Sequence, residues 1–328
     1  MKKIAIEEAF AVKDVEKFTP QLLKLREFRQ NEAKLHDLAE MRLRAMDEGE
    51  VEISVVSATS PGIQGIMDPT IEAETARAWN DYLAKAIQPN KDRLRAFACL
   101  PMRYPEAAAE ELRRAVTDLG FVGALINGYD NAGGNEPIYY DVPEYLDFWK
   151  AAGALDVPVY IHPRPVPEDR ATTYKPYPEL KSASWGFHIE TAEHVLRLII
   201  SGLFDKVPGL KIIVGHMGEI LPYWCWRTDH RIQREGWDGE TATQNGRPRD
   251  LSVTEYIQRN IYLTTSGFFN TPALDHTLKV MDLEHIMYSV DYPYEDYIEG
   301  NEWFNSLDYE QSVLQAIAYD NAKRLLKL

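Results

Sequence analysis

The chain has 328 residues, 45% of them hydrophobic and 27% charged, enough to bury one large α/β core or two ordinary ones. A formal net charge of −15, with no block of Lys or Arg, sets up a field that repels phosphate backbones and anionic lipid and so argues against a nucleic-acid partner. No apolar run is long enough to span a bilayer, the one after Met1 is too short for a signal h-region, and Cys99 and Cys225 stand alone in apolar contexts. The expectation is a reduced, cytoplasmic protein with no membrane partner.

The first apolar run, KIAIEEAF (3–10), has the β-branched character of a parallel-sheet strand but ends in adjacent carboxylates, Glu7 and Glu8. A buried strand avoids such groups unless something pairs with them. Residues 11–34 read as a loop or short helices, followed by a predicted helix in AEMRLRAMDEG (39–49) and a second strand in VEISVVSA (51–58). The alternation continues with a helix in IEAETARAWNDYLAKAI (71–87), a strand in RLRAFACL (93–100), a helix in PEAAAEELRRAVTDLG (105–120) and a strand in FVGALING (121–128). A helix in VPEYLDFWKAAGAL (142–155) precedes the fifth strand, VPVYIHP (157–163), and a polar insertion at 164–187 leads to the helix HIETAEHVLRLIISGLF (188–204) and the sixth strand, LKIIVGHM (210–217). LPYWCWR (221–227) reads as helical and 236–250 as a loop; then come the strands NIYLTTSG (260–267) and HIMYSVDY (285–292) and a C-terminal helix in YEQSVLQAIAYDNAKRLLKL (309–328).

Eight βα units in one domain, residues 1–328, point to an α/β (β/α)8 TIM-like barrel with loop insertions over its C-terminal face. A doubly wound open sheet has the same periodicity and is the alternative. In a barrel, polar groups collect where strands end. Glu7, Thr59, Asn127, His162, His216, Thr265 and Asp291 sit at such ends, while the strand interiors stay apolar. Two carboxylates and two imidazoles from strands one, five, six and eight would meet near the axis at one depth, an arrangement suited to one divalent metal with open positions. Each residue alone has a plainer reading: a carboxylate on a backbone amide, a core histidine, a turn-forming Asp. One shared site explains all four more economically. His188, His194, His230 and His276 lie in helical patterns, His36 lies in polar helical sequence and His285 starts a strand at the wrong end, so these are expected to be structural or solvated.

The stretches EEAF, TSPGIQ, LGFVGALINGY, YIHPRP, SGLFDKVPGLKIIVGHMGEILPYWCWR, TTSG and YSVDYPYE, spread over essentially the whole chain, resemble the amidohydrolase-superfamily decarboxylases of ortho-hydroxybenzoates. That group contains the γ-resorcylate, 2,3-dihydroxybenzoate and 5-carboxyvanillate decarboxylases. Its first strand carries Glu-x-His or Glu-x-Ala where the wider superfamily has His-x-His; here it is Glu7-Glu8-Ala9. Glu7 and Ala9 share a strand face and Glu8 points the other way, toward a turn expected to expose it. Ala9 cannot coordinate, so the ligand set becomes Glu7, His162 and Asp291, with His216 near. Such an oxygen-rich set is harder than His-x-His and moves the expectation toward Mn2+ or Mg2+. The ion expected is Mn2+ or Zn2+, with Mg2+ as a further candidate and no organic cofactor.

The resemblance implies a carboxy-lyase of aromatic-acid degradation, acting on a small aromatic carboxylic acid of the 2,3-dihydroxybenzoate, γ-resorcylate or salicylate type. It assigns Asp291 as proton donor, the His216–Glu219 pair as its orienting or relaying partner, and Arg227 as a contact to the substrate's charged groups. Thr59 and Tyr294 are expected to line the pocket. Relatives resemble homodimers or homotetramers. A metal-dependent hydrolase or hydratase of the same superfamily is the alternative chemistry, and a non-catalytic scaffold barrel would leave the polar strand ends unexplained.

Overall fold

β1 (Lys3–Phe10) is buried along its whole length and pairs in parallel with β2 (Val51–Ala58), which pairs in turn with β3 (Leu94–Ala96). β4 (Ala124–Asn127), β5 (Val159–His162), β6 (Ile212–Val214), β7 (Ile261–Thr264) and β8 (Ile286–Met287) follow in chain order as a second parallel set. The computed structural model describes residues 1–13, 15–19, 26–131, 136–236 and 250–328, so the expected loop 236–250 lies outside the described residues except at its two ends. All eight predicted strands are present.

Two seams join the sets. Between β3 and β4, Ala98 N–H donates to Gly123 O at 2.9 Å and Val122 N–H to Ala96 O at 3.0 Å, around the single bridge of Ala98 with Ala124. Between β8 and β1 the ladder is replaced by a side chain: Ser289 Oγ accepts from the Ile6 and Glu7 amides at 3.1 and 2.7 Å, and Ala9 N–H reaches Tyr292 O at 2.7 Å. The strands therefore run in sequence order around a (β/α)8 barrel, without the order reversal of a doubly wound sheet.

The longer helices among the described residues are α1 (Arg26–His36), α2 (Glu40–Glu48), α3 (Glu72–Ile87), α4 (Pro105–Thr117), α5 (Leu146–Leu155), α6 (Gly186–Ile200), α7 (Leu221–Arg234), α8 (Val253–Asn260), α9 (Thr271–Val280) and α10 (Tyr297–Asn305). The predicted C-terminal helix is broken by a π turn at Ala316–Asp320 between α11 (Gln311–Gln315) and α12 (Asn321–Leu326). No helix among the described residues is long and apolar enough to cross a membrane.

Inside the barrel, Ile4, Ile6, Ile53, Val55, Phe97, Leu125, Tyr160, Ile213 and Met287 form an apolar cluster, joined by Leu325 and Leu326 of α12. Removing the ring of Phe97 from such packing costs about 3–5 kcal/mol. The register of β1 on β2 skips a residue: Ala5 pairs with Ser54 and Glu8 with Val56, so Ile6 and Glu7 together stand opposite Val55. This bulge re-aims a side chain. Ile6 fills the apolar interior, and Glu7 also turns inward, where Tyr160 meets it.

Candidate metal centre

Glu7 comes from β1, His162 ends β5, and Asp291 follows β8; each offers one donor atom, and these lie within 4.8 Å of one another. His162 Nε2 is 3.3 Å from Glu7 Oε1. His216, just past β6, places Nε2 3.7 Å from the same oxygen and 3.5 Å from Asp291 Oδ2. Glu7 Oε1 is buried and has no hydrogen-bond partner among the described residues, a condition that costs more than about 1–3 kcal/mol for a charged group. A cation is the group that relieves it. The Pro163 carbonyl can only accept, so its 2.9 Å bond to His162 Nδ1 puts the proton there and leaves the Nε2 lone pair facing the carboxylates. Burial lowers the His162 pKa and keeps the ring neutral, as a ligand must be. The residues present fit a divalent ion.

The turn after β6 builds the second part of the site. His216, Met217, Glu219 and Ile220 all take positive φ (48°, 58°, 49° and 66°), as does Asp291 at 77°. Such backbone costs about 1–3 kcal/mol per residue and persists where surrounding contacts hold it. Here it lets Glu219 return to His216, whose Nδ1–H donates to Glu219 Oε1 at 2.7 Å, while the other Glu219 oxygen is hydrogen-bonded to His188 Nδ1. Burial opposes charge on His216, but Glu7, Glu219 and Asp291 outweigh it and hold its pKa well above the ordinary value. Glu219 is buried as well, yet the two imidazoles pull its carboxyl down to about 2. Asp291 moves the opposite way, to about 7, because burial and the neighbouring Glu7 and Glu295 exceed the attraction of His216.

The other expected residues divide. Thr59 Oγ1 and Tyr294 Oη are 2.5 Å apart at the barrel mouth, and Asn127 stands level with His162 in the sheet register. Arg227 is exposed on α7 and, among the described residues, has no hydrogen bond or ion pair to the site. It lies on the side of the helix that carries Tyr223, Trp224 and Trp226, opposite the buried Leu221, Pro222 and Cys225. Two expectations fail. Glu8 is not exposed: it is fully buried and accepts from Ser289 Oγ and from the Val290 and Tyr292 amides, because the chain after β8 folds over it. His188 is neither merely structural nor solvated: the start of α6 leans over the barrel end and brings its ring to Glu219, with its centroid 6.2 Å from that of His216. No local spacing marks it in the sequence, since its partner is 31 residues away. The remaining set-aside histidines keep structural contacts, as in His285 on the Ile261 carbonyl and His276 on that of Pro222.

Residues 29–328 match the amidohydrolase family. The chain is 41% identical to the γ-resorcylate decarboxylase of Polaromonas sp. strain JS666, over 99% of this chain and 98% of that one. Its fold is similar to the crystal structure of 2,6-dihydroxybenzoate decarboxylase from Rhizobium (TM-score 0.92, 38% identity, covering 100% of this chain and 99% of that one). It is equally similar to the dihydroxybenzoic acid decarboxylase of Polaromonas sp. JS666 solved with manganese and the inhibitor 2-nitroresorcinol (TM-score 0.92, 40% identity, 100% and 97% covered). These full-length likenesses, together with the barrel and its strand-end carboxylates and imidazoles, place the chain in the amidohydrolase family, within its group of hydroxybenzoate decarboxylases.

Proposed function

We propose that this chain is a non-oxidative, metal-dependent decarboxylase of ortho-hydroxybenzoates, with 2,6-dihydroxybenzoate as leading substrate ahead of the 2,3-isomer and salicylate. The observation that carries the reading is the orphaned Glu7 Oε1, set beside the free Nε2 of His162 and the carboxyl of Asp291. A divalent ion held by Glu7, His162 and Asp291 supplies Lewis acidity that makes the substrate's ortho hydroxyl acidic. Manganese in the Polaromonas relative puts Mn2+ ahead of Zn2+ and Mg2+. The whole chain acts as one cytoplasmic catalytic domain, and the exposed aromatic face of α7 supports a homodimer or homotetramer.

Direct loss of CO2 from an aromatic ring leaves an aryl carbanion, so the ring carbon bearing the carboxylate is protonated first. Asp291 delivers that proton, which its burial beside Glu7 and Glu295 lets it carry near neutral pH. The C–CO2 bond then breaks, its electron pair restores the aromatic ring, and CO2 leaves. His216, 3.5 Å from Asp291 Oδ2, returns a proton to it from solvent; Glu219 fixes the imidazole, and His188 fixes Glu219. Thr59 and Tyr294 line the pocket wall. Arg227, exposed on α7 away from the metal ligands of its own chain, contacts the substrate's charged groups only where a neighbouring copy of the chain presents it.

Mn2+-loaded protein incubated in D2O with 2,6- and 2,3-dihydroxybenzoate, salicylate, 4-hydroxybenzoate and benzoate tests the reading. CO2 release from the ortho-hydroxy acids is expected, with deuterium at the carbon that lost it, and none from the last two. Equal turnover of 4-hydroxybenzoate, or lactone opening without CO2 release, would overturn it.

A further inference from the structure

The two oxygens of Glu7 live in different surroundings. Oε1 has no hydrogen-bond partner among the described residues, whereas Oε2 is hydrogen-bonded by the hydroxyls of Tyr160 and Ser266. Thr264 Oγ1 stands 3.2 Å from Oε2, 3.0 Å from Tyr160 Oη and 2.8 Å from Ser266 Oγ, so its one proton is shared among three acceptors. The Ser266 hydroxyl is itself fixed, since it accepts the His216 amide at 3.1 Å. Tyr160 is two residues before His162 and shares its face of β5, one layer deeper in the barrel. These groups are fully buried.

A second observation comes from the backbone. Gly215 has φ −74°, a conformation open to any residue, so its lack of a side chain is not a matter of torsion. A Cβ there would lie 2.5 Å from Glu7 Oε2, 2.8 Å from Tyr160 Oη and 2.9 Å from Glu7 Oε1. The glycine leaves room for the carboxylate and its hydroxyl partner.

We infer that Tyr160, Ser266, Thr264 and Gly215 form a cradle that saturates Glu7 Oε2 and commits the carboxylate to bind the ion through Oε1 alone. The inference rests on the metal reading given above. The four are positioning residues: with Oε2 occupied, Glu7 contributes one donor atom, and more of the ion's shell stays open to substrate and water. Removing a hydroxyl loosens the carboxylate and frees its second oxygen to chelate. Outer-shell changes of this kind cost about 10–100-fold in metal affinity.

The test measures Mn2+ affinity by calorimetry on wild type, Tyr160→Phe, Ser266→Ala, Thr264→Val and Thr264→Ser, with thermal melting of each metal-free protein as the folding control. A crystal structure of the Mn2+-loaded wild type and of Tyr160→Phe/Ser266→Ala completes it. Expected are a drop of about tenfold or more in Tyr160→Phe and Ser266→Ala, a smaller drop in Thr264→Val that Thr264→Ser reverses, and metal-free melting that stays cooperative. The ion should be bound by Oε1 alone in wild type and by both oxygens in the double variant. Affinity within twofold of wild type in both Tyr160→Phe and Ser266→Ala, or Oε2 on the ion in the wild type, would overturn the cradle while leaving the metal reading intact. A wild-type protein that takes up no Mn2+, Zn2+ or Mg2+ would refute both together.

Discussion

The inner and outer faces of β1 end in the same functional group and treat it in opposite ways. Glu7 and Glu8 are 2% and 0% exposed, so burial alone does not separate them. On the outer face, Glu8 Oε1 accepts from Ser289 Oγ at 2.9 Å and Val290 N–H at 3.1 Å, and Oε2 accepts from Tyr292 N–H at 2.8 Å. Neither oxygen is left over. On the inner face Glu7 is satisfied on one oxygen and bare on the other, beside two imidazoles and a second carboxylate. A buried carboxylate whose acceptors are all used is a structural clamp. One left incomplete among other donors is a binding group, and the distinction lies in the hydrogen-bond accounting of single atoms.

The contrast predicts that damage to the inner face removes chemistry and damage to the outer face removes stability. His162→Ala should show the largest effect, because three ligands leave no redundancy: metal content measured by elemental analysis falls to a small fraction of one ion per chain, and kcat/KM falls by at least about 10,000-fold. Full metal occupancy in that variant would erase the distinction between the faces. Asp291→Asn, assayed with Mn2+ resupplied and occupancy confirmed, should lose about 1,000-fold in kcat, since an amide cannot donate as an acid. Retained activity there would move the proton donor elsewhere. Glu8→Ala strands a hydroxyl and two amides and should cost about 3 kcal/mol in denaturant unfolding, while the folded fraction still binds metal. Loss of metal with unchanged stability would place Glu8 in the site.

The smallest expected effect sharpens the comparison with a buried group that serves neither role. His194 is 1% exposed between the rings of Tyr139 and Tyr140, with neither ring nitrogen hydrogen-bonded among the described residues. Burial, helped by Arg197, lowers its pKa from 6.5 to about 3. Above pH 6.5 the imidazole is neutral in both folded and unfolded chains and adds no slope. Below it the unfolded chain takes up a proton that the folded chain refuses, so stability falls toward about pH 3. The loss between pH 6.5 and pH 5 is about 2 kcal/mol. His194→Leu should flatten that limb in unfolding measured at the two pH values, and an unchanged slope would show that His194 is solvated in the folded state.

Much of this was legible in the sequence, for reasons particular residues make plain. Strand interiors such as ALIN and IIV carry the apolar code of a parallel sheet, and the polar residue that ends each run marks the barrel mouth, which is how Glu7, His162, His216 and Asp291 stand out. The helix α8 was missed although a local signal marks its start, since Ser252 and Glu255 form a reciprocal capping box three residues apart. What escaped were contacts set by tertiary packing. The fate of Glu8 depends on backbone amides more than 280 residues away, and that of His188 on how far α6 leans over the site. Simple alternation along β1 does not turn both Ile6 and Glu7 inward; the bulge does, and nothing in KIAIEEAF announces it.

The seam between β8 and β1 has one further consequence. Ser289 Oγ receives the amides of Ile6 and Glu7 and gives its own proton to Glu8, so a side-chain hydroxyl works as a hasp where the strand pairs within each set have stitching. The strand carrying Glu7 and the segment carrying Asp291 are the two leaves it fastens. The barrel thus has a seam that runs straight through its reaction centre, and the register of the metal site is held there by the Ser289 and Glu8 side chains and one backbone bond, Ala9 N–H to Tyr292 O, rather than by a ladder.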